Sequence, residues 1–267
     1  MLGAVAGDVI GSVHEHAGTR TTDFELFVPE SRFTDDTVLA LAVASCVLDG
    51  GGYIDAFHRY VSAYPRAGYG LRFLLWAQSG DRRPYGSWGN GAAMRVPAIG
   101  HAFDRLQDVL DESERCAAVT HDHPDGITGA QATAAAVHLA RAGHSRREIR
   151  GWIERLFGYD PRPRLDDIRP VYTFDVSCQG TVPVAMIAFL ESHDYEGAVR
   201  NAISVGGDAD TLACIAGAIA EPFYGGVPEP VAAATLARLD DHLRDVVVRF
   251  TTRYPLPARP ATASETG

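Results

Sequence analysis

The stretch Gly206-Gly207-Asp208-Ala209-Asp210-Thr211 sets two carboxylates at i and i+2, with a hydroxyl directly after them, where a double glycine gives way to the apolar run Leu212 to Ala220. These are hard oxygen donors, a set that suits Mg²⁺ or Ca²⁺ better than zinc. The same residue types also suit a helix N-terminus, where Asp and Thr cap free backbone N–H groups. A second stretch of this character, Thr34-Asp35-Asp36-Thr37, opens another apolar run far away in the chain. If the two helix starts converge, Asp35, Asp36, Asp208 and Asp210 bring four negative charges into one region. Charges that close do not all stay ionised unless protons or cations join them. Two Mg²⁺ ions would neutralise four carboxylates, with the hydroxyls of Thr34 and Thr211 and water completing octahedral shells. Two unrelated helix caps on opposite sides of the molecule are the alternative that spacing leaves open.

The elements that must position these residues read as helices. Residues 1–13 carry Gly3, Gly7 and Gly11 at four-residue spacing with Val5, Val9 and Ile10 between them. That predicts a helix with one smooth face that a second helix can approach closely. Residues 17–33 lack helical period and read as a loop. Over 34–48 the apolar positions cover more than one face, which predicts a buried helix stopped by Gly50-Gly51-Gly52. Further helices are expected over 53–64, 71–77, 92–99, 103–119, 128–142, 146–157, 182–191, 195–205, 212–220 and 231–254. Between them lie a turn-rich segment at 80–91, a loop at 121–126 and a polar, proline-bearing stretch at 158–170. Strand-like alternation is scarce, so the fold class is all-α: a single compact multi-helix domain over 1–254. The Pro-, Ala-, Ser- and Thr-rich residues 255–267 are expected to form a disordered tail.

The composition fits one large core: 267 residues, 46% hydrophobic and 22% charged. No apolar run approaches the roughly 20 residues a membrane span needs. Residues 1–13 lack the basic start and cleavage pattern of a signal peptide, so a cytoplasmic protein without a membrane partner is expected. The four cysteines are scattered without CxxC spacing and read as buried thiols in a reducing compartment. A net charge of −10 argues against a broad nucleic-acid-binding face, although a local basic pocket stays open.

A different chemistry is suggested by Ser87-Trp88-Gly89-Asn90-Gly91. Glycines let backbone N–H groups converge, and an adjoining helix N-terminus favours anions, which together can cradle a diphosphate. Trp88 and Tyr85 offer flat faces to a ribose or an adenine. A plain Gly/Asn-rich turn with a half-buried Trp is the simpler reading of the same residues. His121 and His123 lack the third His or Cys that zinc would need. Glu15 sits at a helix end and Asp8 inside the glycine-rich helix, where it either caps or supports a neighbour. Arg95 reads as structural.

Taken together, Gly7-Asp8-Val9-Ile10-Gly11-Ser12-Val13-His14-Glu15, Phe33-Thr34-Asp35-Asp36-Thr37, Ser87 to Arg95, Thr120-His121 and Gly206 to Thr211 occur in an order that resembles the ADP-ribosylglycohydrolases. That family includes dinitrogenase-reductase-activating glycohydrolase and the metazoan ADP-ribosylhydrolases, and the resemblance runs to about residue 225. It implies an all-α fold with a dinuclear Mg²⁺ centre held by Thr34, Asp35, Asp36, Asp208, Asp210 and Thr211, with Asp210 the bridging carboxylate. It also implies that the 2″- and 3″-hydroxyls of the terminal ribose meet the metals. Glu15 matches a glutamate on a mobile loop in the serine-linked branch, where it blocks the empty site or acts as acid or base. Glu15, Asp35 and Asp36 are thus the catalytic candidates. Ser87, Trp88, Gly89, Asn90 and Gly91 match the family's ADP-ribose loop, and His121 a histidine near the phosphates. The implied function is Mg²⁺-dependent release of ADP-ribose from a modified acceptor, protein serine or arginine foremost, by a monomer. Small molecules and nucleic-acid ends stay open as acceptors, because the loops expected to reach them, 16–33 and 158–178, match nothing that carries over. A dinuclear phosphohydrolase cutting ADP-ribose or nucleotides, and a non-catalytic ADP-ribose-binding protein, are the rival functions.

Overall fold

The computed structural model describes residues 1–257. Its helices are α1 (Leu2–Gly11), α2 (Asp35–Asp49), α3 (Tyr53–Ala63), α4 (Leu71–Ser79), α5 (Gly91–Met94), α6 (Pro97–Ala102), α7 (Leu106–Ala117), α8 (Pro124–Arg141), α9 (Arg146–Phe157), α10 (Leu165–Ile168), α11 (Cys178–Leu190), α12 (Tyr195–Ile203), α13 (Ala209–Tyr224), α14 (Glu229–Leu236) and α15 (Asp241–Arg253). The fold is all-α, as its sequence predicts. Among the described residues there is no strand, only an isolated antiparallel bridge between Gly89 and Ser177. None of these helices is long and apolar enough to cross a membrane. All four cysteines are buried and free. Of the expected tail, 255–257 have no regular structure and 258–267 lie outside the described residues.

Helix boundaries follow local capping chemistry, and this is where sequence period misleads. The stretch 231–254 is two helices, because the Asp240 side chain accepts from the Leu243 N–H and starts α15 afresh. The stretch 92–99 is split before Pro97, which opens α6. Pro124 also opens a helix, at the position where its missing N–H costs nothing, so α8 begins inside a segment that reads as a loop. Ser177 caps α11 at the Gly180 N–H, ahead of the Gly180 and Pro183 that weaken the helical signal there. At α9, by contrast, Ser145 and Glu148 form a reciprocal capping box and the expected boundaries hold.

The core is organised by α1, whose residues Gly3 to Gly11 are all buried. Its glycine face lies directly on the backbone of α13. A Cβ on Gly3 would stand 2.4 Å from Gly217 O, one on Gly7 2.1 Å from Ala213 O, and one on Gly11 2.5 Å from the Cα of Asp210. No side chain of any size fits between the two helices. The contact sets Asp8 of α1 beside Asp210 at the start of α13, and α2 packs against both helices. We therefore expect Gly7→Ala to destabilise the fold by about 3 kcal/mol through overpacking, read as a lower denaturant midpoint at unchanged slope. Gly70→Ala, where a methyl meets open space, should cost less than about 1 kcal/mol in the same measurement.

Candidate metal centre and anion loop

The two helix starts converge. Oxygen atoms of Asp8, Asp36 and Asp210 lie within 4.8 Å of one another, and a second group, Glu15, Asp208 and Asp210, meets the same criterion. Asp210 belongs to both, so the two groups are continuous. Gly206 and Gly207, at φ of +73° and +72°, turn the chain so that Asp208 and Asp210 both face inward at the start of α13. Asp35 stands at the rim, half-buried, with one carboxylate oxygen 3.3 Å from where a Cβ on Gly68 would lie.

Each acid is held by neighbours. Asp8 accepts from the Thr34 N–H (2.9 Å), the Thr34 hydroxyl (2.6 Å), the Thr37 N–H (3.1 Å) and the Thr37 hydroxyl. It therefore fastens the first turn of α2 to α1, with its acceptor capacity spent on that task. Thr34 caps α2 by accepting from the Asp36 N–H. The Thr211 hydroxyl donates to Asp36 Oδ2 at 3.3 Å, and Asn90 Nδ2 donates to Asp208 Oδ2 at 2.7 Å. Asp36 Oδ1 is buried and has no partner. A bare buried carboxylate oxygen is costly, and the surrounding set of carboxylates and hydroxyls is what a hard divalent cation takes. The residues present thus fit such an ion.

Electrostatics agree. Burial, then the charges of Asp8 and Asp208, pushes the Asp35 carboxyl up to about 8. Burial first and other carboxylates second raise Asp36 and Asp210 well above the usual range. Glu15 is raised by partial burial and by Asp208.

The second half of the site is the loop before α5. The N–H groups of Tyr85 and Ser87 both donate to Thr120 O, and Asn90 N–H donates to Val176 O. Ser87 Oγ accepts from the Gly89 N–H. Trp88 is 49% exposed. Beneath Gly89 and Gly91 lies His121, whose Nε2 stands 3.6 and 3.4 Å from the Cβ positions those glycines leave vacant. Burial, then the charge of Arg95, holds His121 well below its ordinary value, so the ring is neutral.

Thr34, Asp36, Asp208, Asp210 and Thr211 are thus brought together, with Glu15 beside them and Asp35 at their edge. The Asn90 side chain is buried and spends both amide hydrogens inward, on Thr181 and Asp208. The weight carried by Asp8 was only half visible, because a lone acid in a glycine-rich helix shows no partner until Thr34 and Thr37 fold against it.

The clustering has a pH signature. Asp35 has a folded-state value of about 8, above the unfolded carboxyl value, so between about pH 4 and pH 8 the folded state keeps a proton that the unfolded chain has released. The stability this provides is complete below about pH 4 and is lost as pH rises through 8. In chelator, the denaturation free energy should fall by about 2 kcal/mol or more from pH 5 to pH 8, and Mg²⁺ should flatten that fall. A rise over the same range in chelator would contradict the geometry.

With this geometry in view, comparison with known proteins is informative. A family model described as ADP-ribosylglycohydrolase matches residues 1–258. The ADP-ribosylhydrolase ARH3 of Mus musculus is 30% identical over 311 residues, covering 86% of this chain and 84% of that protein. ARH3 of Homo sapiens is 28% identical, covering 86% of each. The ADP-ribosylarginine hydrolase Tri1 of Pseudomonas putida (strain GB-1) is 24% identical, covering 96% of this chain and 77% of its own. A solved structure described as an ADP-ribosylglycohydrolase-related protein complex matches with a TM-score of 0.66 at 25% identity, over 94% of this chain and 96% of that one. The chain belongs to the ADP-ribosylglycohydrolase family and is a hydrolase of glycosidic bonds.

Proposed function

We propose that this enzyme is a divalent-metal-dependent ADP-ribosylhydrolase, using two Mg²⁺ ions, that releases intact ADP-ribose from a modified acceptor. The observation that carries the reading is the unpartnered Asp36 Oδ1 within a buried set of acids, a short way from a glycine loop with a neutral histidine beneath it. Thr34, Asp35, Asp36, Asp208, Asp210 and Thr211 would hold the ions, Asp210 being common to both acid groups. When bound, the metals supply Lewis acidity that orients the ribose hydroxyls and stabilises negative charge developing there.

The chain's own groups do the rest. Asn90 holds Asp208 in one orientation, and Asp8 holds the Thr34 turn, so neither moves as charge redistributes. The Ser87 to Gly91 loop leaves room over Gly89 and Gly91 for the diphosphate to reach His121, while the half-exposed Trp88 offers a face to a ribose or the adenine. Glu15, within 4.8 Å of Asp208 and Asp210 and only half-buried, is the group that reaches the scissile bond. Its raised value favours a proton held at its carboxyl. Glu15 gives that proton to the acceptor atom as the C1″–acceptor bond breaks, and takes one from the water that attacks C1″. The transition state has oxocarbenium character.

Serine and arginine are the first acceptors to try: Glu15 favours an O-linked bond, and Tri1 is by name an arginine-linked hydrolase. A panel of Ser-, Arg- and nucleotide-linked ADP-ribose substrates, run with Mg²⁺ and with chelator, tests the proposal. Intact ADP-ribose is the expected product, with activity lost in chelator. AMP plus ribose 5-phosphate would instead mark a phosphohydrolase. Asp208→Asn and Asp210→Asn should each lower kcat/KM by about 10³-fold or more, and wild-type rates in both would sink the metal role.

A further inference from the structure

Arg95 is among the largest side chains with no exposure at all. It follows α5, directly behind the anion loop. Its Nη2 donates to Cys116 O (3.0 Å), Ala117 O (3.3 Å) and Thr120 Oγ1 (3.0 Å), and its guanidinium lies 4.6 Å over the Phe57 ring. Nε and Nη1 are buried without a partner, and no carboxylate is among its contacts. Cys116 O and Ala117 O close α7, so the guanidinium caps the negative end of that helix, but Nε and Nη1 stay idle, which is costly for a buried cation.

The contact with Thr120 has a chemical consequence. A threonine hydroxyl has one hydrogen, and its lone pairs accept. Accepting from Arg95 occupies one lone pair and turns the hydroxyl so that its hydrogen can point to His121 Nδ1, which is 2.8 Å away. A neutral imidazole whose Nδ1 accepts must carry its proton on Nε2, and Nε2 is the atom uncovered by Gly89 and Gly91. The backbone carbonyl of Thr120 meanwhile holds Tyr85 and Ser87 of the same loop. One residue thus touches both the loop, through its carbonyl, and the ring, through its hydroxyl.

We propose that Arg95 and Thr120 are positioning residues for the diphosphate of the ligand: Arg95 commits the Thr120 hydroxyl to His121 Nδ1, so that Nε2–H faces a phosphate oxygen above Gly89 and Gly91. Among its described contacts the guanidinium meets no carboxylate, only the α7 carbonyls, Thr120 and Phe57. The inference rests on the reading of 87–91 as a diphosphate loop. It differs in kind from that reading, because neither residue touches the ligand.

The test uses the full chain with Mg²⁺, with ADP-ribose and ADP as probes. ¹⁵N-imidazole NMR should show the Nε2–H form of His121 in the wild type and in Thr120→Ser. Thr120→Val, close to isosteric, should shift the ring toward Nδ1–H and weaken both ligands about tenfold in calorimetry. Arg95→Lys, which keeps the charge, should weaken them less than Arg95→Met. A purely structural role would lower the melting temperature without moving the tautomer. An Nδ1–H ring in the wild type, or wild-type affinity in Thr120→Val, overturns the proposal. If the wild type binds neither probe, it is the diphosphate reading of the loop that falls, while loss of Nε2–H in Thr120→Val would still establish the coupling of Thr120 to His121.

Discussion

Carboxylates dislike company in a low-dielectric interior, and most of this site answers that constraint. Asp8, Asp36, Asp208 and Asp210 are all buried, with Asp35 and Glu15 beside them. Each buried ion costs several kcal/mol when it lacks compensation. Asp8 is compensated by four donors from Thr34 and Thr37. The starts of α2 and α13 add the positive ends of two helix dipoles. Those devices do not reach Asp36 Oδ1, and the raised values of Asp35, Asp36 and Asp210 express the charge still to be met. A proton or a divalent cation can meet it.

What forces the acids together is packing on the far side of them. The glycine face of α1 lies on the backbone of α13, with the Gly11 position against the Cα of Asp210. Because that contact is backbone on backbone, it has little freedom to slide. Relaxing the repulsion by moving α2 would break the Asp8 bonds, and moving α13 would open the core along its length. The site is strained by charge and held by close packing.

The surrounding loops are tied to this frame by arginines. Arg20 donates to the carbonyls of Arg169, Tyr172 and Val205, and Arg200 to those of Thr22 and Phe24. The first of these joins the loop after α1 to the segment after α10, the two stretches that the sequence left without any assignable chemistry. Exposed Val171, Phe174 and Val176 lie in the latter segment, and Val176 O accepts from Asn90 at the anion loop. That segment is thereby linked, through Asn90, to the loop and to Asp208.

The chain's own order of residues determined the helical class, the smooth face of α1, the paired acidic helix starts and the glycine loop, because these are local: period, cap and turn chemistry act over a few neighbours. It also carried the family resemblance, since five short motifs in one order are legible without any contact. It misjudged α14 and α15, α8 and α11, where a single cap or proline outweighs apolar period. Only the tertiary structure decided that Asp8 spends itself on Thr34 and Thr37, that Asn90 turns inward to Asp208, and that Arg95 reaches His121 through Thr120. Those pairs are 26 or more, 118 and 25 residues apart in the chain. A hydrogen bond across such a separation depends on where whole helices lie, and that is settled by core packing, which no spacing in the sequence records.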